Sequence, residues 1–129
     1  MSIAGIAAII YAIVTFGVVA FQIALAAGAP WGAYAMGGAS PGRFSPAMRV
    51  SAVVQALLLA GMAVVILARA ELILPGWFGV SHWLVWIVVA LTALSLVLNL
   101  ITPSRRERAI WVPTLLVLLI SSLIVAFSA

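Results

Sequence analysis

The chain has no cysteine. This excludes disulfides, thiolate metal sites, iron–sulfur ligation and thiol redox chemistry, and with them a quinone-coupled thiol oxidase of the four-helix type. Charge is almost as scarce, at 6% of 129 residues, far less than a water-exposed surface carries. The only acids are Glu71 and Glu107 and the only histidine is His82, so no catalytic carboxylate pair or histidine cluster is available and no enzyme is expected. The six basic residues are all arginine, giving a net charge of +4. With no solvated basic face to hold a phosphate backbone, nucleic acid is not an expected partner.

What the chain does have is long apolar runs. Hydrophobic residues make up 67% of it and the mean hydropathy is +1.39. Residues 3–27, 47–69, 82–102 and 109–128 are each about twenty residues of nearly pure Ala, Val, Leu and Ile. At about 1.5 Å of rise per residue, each helix spans about 30 Å, the thickness of a bilayer's hydrocarbon core. The expected fold is all-α: one membrane domain over residues 1–129, a four-transmembrane-helix bundle of two hairpins, with no room for a second, water-soluble domain. The first run is expected to remain as a span, because residues 1–3 carry no basic side chain and the run is longer than a signal-peptide core.

The arginines predict how the bundle sits. Loops 28–46 and 103–108, with the adjoining helix end, carry Arg43, Arg49, Arg105, Arg106 and Arg108, while the other side has Arg69 alone. At about 1 kcal/mol per basic residue near an anionic leaflet, the excess favours one orientation by roughly 4 kcal/mol, on the order of a thousandfold. Both loops are therefore expected in the cytoplasm, in an N-out, C-out arrangement shared by every copy.

Each span carries a polar stripe: Tyr11, Thr15 and Gln22; Ser51, Gln55 and Arg69; Thr92, Ser95 and Asn99; Thr114, Ser121 and Ser128. Two readings follow. The stripes could be interhelical glue, each group finding a partner on a neighbour. Alternatively the three strongest groups, Gln22, Gln55 and Asn99, which lie near the same leaflet, line a polar vestibule open to the cytoplasm beneath Arg43 and Arg49. Small residues at Ala20, Ala24 and Gly28 and at Ala52, Ala56 and Ala60 predict a tight hairpin of the first two spans. The last span is bulky nearly all round, which suits contact with lipid or with a partner in a homo-oligomer or larger complex.

The loops add a few clues. Loop 28–46, GAPWGAYAMGGASPGRFSP, is longer than a hairpin needs. It is neither a Walker loop nor a dinucleotide fingerprint. Its Trp31, Tyr34, Met36 and Phe44 are read as interfacial anchors, or as a lid over the cytoplasmic mouth. Trp77, Phe78, Trp83 and Trp86 form the opposite aromatic belt, and His82 beside them reads as a belt residue rather than a ligand. No cofactor or metal is expected, because haem in such a bundle needs two axial ligands. Glu71 and Glu107 are both placed outside the hydrocarbon, Glu107 as a neutralising neighbour of Arg106 and Arg108; this argues against an exporter of the small multidrug type, which depends on an intramembrane carboxylate. The turns at 40–44 and 102–106 share Ser/Thr-Pro-x-Arg, a faint internal repeat.

GAPWG at 28–32, the Gly37–Gly38 pair, a Pro and an Arg entering the second helix, and Asn99 followed by PSRRER and Trp111-Val112-Pro113 together resemble a family of small four-span proteins of the bacterial inner membrane, usually left uncharacterised. The resemblance implies that membrane and transfers no activity. The leading expectation is a protein that binds or permeates a small or lipid-like molecule at a site formed by Gln22, Gln55 and Asn99, with Arg43, Arg49, Trp31 and Tyr34 around its mouth. The alternative is an accessory or scaffold subunit with no ligand of its own.

Overall fold

A computed structural model describes residues 2–129. Its elements are α1 (Ile3–Ala27), α2 (Pro46–Arg69), α3 (Phe78–Ile101) and α4 (Arg105–Ser128), with short 3-10 turns at Gly32–Tyr34, Met36–Gly38 and Pro75–Trp77. Each of the four long helices is apolar enough to cross a membrane, so the chain is a small multi-pass membrane protein. α3 and α4 begin four residues before their apolar runs. Hydropathy marks the part of a helix that suits hydrocarbon, whereas the helix continues for as long as its backbone is bonded and capped. Ser104 Oγ accepts from the Glu107 amide at 3.3 Å, so Arg105–Arg108 form the first turn of α4.

Ser2 and Ser45 cap α1 and α2 in the same way, accepting from Gly5 and Met48. Such caps are worth about 1 kcal/mol each. α1 ends on Gly28 at φ 104°, with Ala29 N–H donating to Ala24 O and Gly28 N–H to Leu25 O. This Schellman ending needs the left-handed conformation that glycine adopts at little cost. The two Ser/Thr-Pro-x-Arg turns enter their helices differently: Arg43 precedes the Ser45 cap, whereas Arg105 follows the Ser104 cap as the first helical residue.

The helices form a ring in chain order. α1 packs on α2 and α4, α3 packs on α4, and α2 with α3 is the loosest of the neighbouring seams. The inward residues follow a heptad. On α1 they are Ala4, Ala8, Tyr11, Thr15, Val18, Gln22 and Leu25, all buried or half-buried. On α4 they are Glu107, Trp111, Thr114, Leu118, Ser121 and Val125. Steps of four and three average 3.5 residues, the spacing that keeps one seam facing a neighbour in a left-handed bundle. The polar stripes therefore face into the bundle, except at Ser51, Gln55 and Ser128, which are exposed. α1 and α2 make the most extensive pair, with Ala52 and Ala56 buried and Ala24 half-buried, though Ala20 and Ala60 are exposed.

The two ends of the bundle differ. At the end carrying residues 2, 70–77 and 129, here the closed end, Ala7, Ala8, Tyr11, Met62, Ile66, Val85, Val88, Leu118 and Val125 form the main core. Arg69, 5% exposed, ties that end together by donating to Phe78 O at 3.3 Å and Ala129 O at 2.7 Å, with its guanidinium 4.6 Å from the Phe78 ring centre. At the opposite loop end, only a small cluster of Leu25, Ala35, Phe44 and Ala52 is packed.

Candidate functional site

Beyond the core packed around Val85 and Ile66, the loop end of the bundle holds a cavity of about 560 Å³. That volume suits a small organic molecule. α1 contributes Val18, Phe21 and Gln22, α2 contributes Ser51, Gln55 and Leu59, α3 contributes Ser95, Leu98 and Asn99, and α4 contributes Glu107, Trp111, Thr114 and Leu118. Ala35, Met36 and Phe44 of the long loop close it from the loop side. Among the lining residues, Ser51, Gln55, Leu98 and Ile101 of α2 and α3 are exposed, as are Met36 and Pro103 of the loops, whereas those of α1 and α4 are half-buried or buried. The cavity therefore opens sideways at the loose α2–α3 seam and also toward the loops.

Gln22, Gln55 and Asn99 are thus brought to one cavity. Asn99 Nδ2 donates to its own helix, at Ser95 O, 2.7 Å away. The amides of Gln22 and Gln55 have no protein partner among the described residues. The hydroxyls of the stripes behave like Asn99: Thr92 donates to Val88 O, Thr114 to Ile110 O and Ser121 to Val117 O, each at 2.7–2.8 Å. Back-bonds of this kind use the hydroxyl's one proton within its own helix and leave only its lone pairs to accept from a neighbour, as Thr92 does beside Tyr11. Below the cavity floor, the buried Thr15 hydroxyl has no partner.

The other four candidate residues surround the cavity without lining it. Arg43 is exposed. Arg49 donates from Nε to Phe44 O at 3.2 Å and lies against Gly28, where an added Cβ would sit 2.8 Å from its Nη2; its charge falls at the carbonyl end of α1, where a cation is favoured. Trp31 stacks on Phe21 at 6.2 Å. Tyr34 accepts from Trp111 Nε1 at 2.6 Å through its carbonyl, and Arg106 stands over its ring. Trp31 and Tyr34 line a second hollow of about 220 Å³, which shares Phe21 and Trp111 with the first.

The loop that carries these residues is pinned to itself. Gly32 N–H donates to Gly42 O at 2.9 Å, and a Cβ on Gly32 would lie 1.9 Å from Ser40 O, so only glycine fits. Met36, exposed at the cavity, has φ 52°, a left-handed conformation costing a non-glycine residue about 1–2 kcal/mol.

One position departs from the sequence reading. Glu107 does not face water between its arginines; it is 5% exposed and lines the cavity, its Oε2 accepting from Thr102 Oγ1 at 3.2 Å. Neighbours one residue away on a helix point about 100° apart, so Arg106 turns to Tyr34 and Arg108 to the Thr102 carbonyl, to which its Nη1 donates. The signal lay in the heptad: Ser128, Ser121 and Thr114 step back by seven to Glu107.

Chemically, the cavity offers apolar walls, three amides and one carboxylate. No group of three or more His, Cys, Asp or Glu that could hold a metal occurs among the described residues, and His82 is exposed at the closed end. No known protein family, characterised protein or solved structure matches this chain.

Proposed function

We propose that this membrane protein binds a small or lipid-like molecule in the cavity between its four helices and carries out no reaction on it. The observation that supports this most is the convergence of Gln22, Gln55 and Asn99 from three helices on one cavity of about 560 Å³. In hydrocarbon an amide without partners costs a few kcal/mol, so Gln22 and Gln55 need water or a ligand there. The sideways mouth suits a molecule that arrives dissolved in the bilayer. Passage right through the protein would require the closed end, packed around Ile66 and Val85, to open; binding from one side requires no such step.

We further place the loop end in the cytoplasm of a bacterial inner membrane. Five arginines lie at that end, and Arg69 at the other is buried and bonded to protein carbonyls, so it competes little for headgroups.

The test is photolabelling in liposomes with a diazirine-bearing fatty alcohol, followed by peptide mapping. Labels should concentrate on Leu59, Leu115 and Leu118, and Gln55→Trp at the mouth should remove them. Labels confined to outward residues such as Ile13 and Phe16 would leave the amides without a ligand and favour the accessory-subunit reading.

A further inference from the structure

We propose that the molecule this cavity takes is an amphipathic organic cation, held by Glu107 against an aromatic wall; this rests on the binding reading above. Every other side chain lining the cavity is uncharged. Glu107 is 95% enclosed yet is bonded only by a neutral hydroxyl, that of Thr102. The arginines are committed elsewhere or turned outward. Arg49 is on Phe44 O, Arg69 is at the far end, Arg106 is over Tyr34 and Arg108 is on Thr102 O, while Arg43 and Arg105 are exposed. A buried carboxylate without a cation is costly, and an occupant of opposite charge is the partner it lacks.

The surroundings specify the kind of cation. Trp111 lies one helical turn beyond Glu107 and lines the same cavity, meeting Phe21 edge to face at 4.9 Å. A carboxylate beside aromatic faces recognises alkylated ammonium groups, whose charge is spread over apolar surface. A compact, strongly hydrated metal ion would gain little from these walls. Deeper in, Leu59, Leu115 and Leu118 accept an apolar body. Ammonium chemistry of this kind belongs both to free amphipathic cations and to the headgroups of some lipids.

The experiment is equilibrium dialysis of the full chain in a neutral maltoside detergent against radiolabelled tetraphenylphosphonium, alongside the fatty-alcohol photolabel. Glu107→Gln keeps the shape of the side chain, and its amide oxygen can still accept from Thr102 Oγ1, so folding should persist; fatty-alcohol labelling of the variant checks that it does. Wild type should bind the cation in competition with dodecyltrimethylammonium, and Glu107→Gln should weaken that binding by about tenfold or more while leaving alcohol labelling intact. Unchanged cation affinity in Glu107→Gln, or alcohol labelling without cation binding in wild type, overturns the cation proposal and leaves the binding reading standing. Absence of both from the cavity overturns both. A final arm separates the sources: displacement of tetraphenylphosphonium by phosphatidylcholine but not phosphatidylglycerol supports a headgroup ammonium, and no displacement by either supports a free cation.

Discussion

The closed end and the loop end of this bundle are built on the same four heptad stripes and reach opposite outcomes. At the closed end the stripe positions are Ala8, Tyr11, Ile66, Val85, Val88 and Val125, which interdigitate into the main core. At the loop end they are Gln22, Ser95, Asn99, Glu107 and Thr114, and there the helices enclose a cavity. Helical secondary structure does not separate the two, since all four helices run through both ends, α4 with Pro113 inside it. Side-chain chemistry does: apolar groups satisfy one another by contact, whereas amides and a carboxylate can be satisfied only by hydrogen bonds or charge, and the protein supplies one hydrogen bond each to Asn99 and Glu107 and no cation to the carboxylate. The closed end even shows the exception that supports the rule. Its one buried charged side chain, Arg69, reaches two backbone carbonyls and an aromatic face, with only Nε left unpaired, and there the helices meet.

Removing that exception should have the largest effect on stability. Arg69→Ala leaves the Ala129 carbonyl without its side-chain donor and removes the guanidinium from the Phe78 ring, while the Phe78 carbonyl keeps Ser81 Oγ at 2.7 Å; the loss should cost about 3 kcal/mol in unfolding from detergent micelles. No loss of stability would mean that apolar packing alone closes that end. Next, Ala56→Leu forces a large side chain into the buried α1–α2 contact and should cost about 2 kcal/mol, whereas Ile120→Leu, on the exposed face of α4, should be neutral. A neutral Ala56→Leu would show that the two helices are free to separate.

Smaller effects belong to the loop end. Gly32→Ala pushes a methyl group into Ser40 O and should break the Gly32–Gly42 hydrogen bond, at about 1 kcal/mol confined to the loop. Hydrogen exchange would read it as lost protection over residues 31–44, with α2 and α3 unchanged. Protection lost throughout the bundle would instead make the loop part of the global fold. The smallest effect is expected of Gln55→Leu. Because its amide has no protein partner, melting should stay within about 0.5 kcal/mol of wild type or rise, while fatty-alcohol labelling of the cavity falls. A clear destabilisation would restore Gln55 to the role of interhelical glue.

Much of this was legible in the chain before folding was considered. Twenty-residue apolar runs cannot be satisfied in water, so the four spans follow from hydropathy alone, as does the inward direction of stripes such as Tyr11, Thr15 and Gln22. That the amides lie toward the same end of the bundle followed from their distance to the helix ends. What hydropathy does not register is where a helix begins outside hydrocarbon. Cutting the last span at residue 109 left Glu107 in an arginine-rich loop, although Ser104 and the seven-residue step from Thr114 both place it on the inner face of α4. Nor could spacing reveal that the long loop folds back through Gly32 and Gly42, since that closure depends on a contact across ten residues with no periodic pattern. The arginines at 43 and 49 looked like a rim for the vestibule because they are close in sequence to it; one turns to solvent and the other to the carbonyl end of α1.

Sidedness has its own check. A cysteine at Gly76 should react with an impermeant thiol reagent added outside intact cells, and one at Ala39 should not; the reverse pattern would invert the proposed orientation.

The contrast between the two ends is tested most directly by thiol accessibility, because the chain has no cysteine of its own and each introduced one is the sole reporter. Asn99→Cys sits on the cavity wall and Val88→Cys in the closed core of the same helix. Thiol reaction requires a hydrated thiolate, so with a small neutral methanethiosulfonate the Asn99→Cys protein should react about tenfold faster or more than the Val88→Cys protein. Equal, slow rates at both positions would contradict the account, because the loop end would then be as dry and as tightly packed as the closed end.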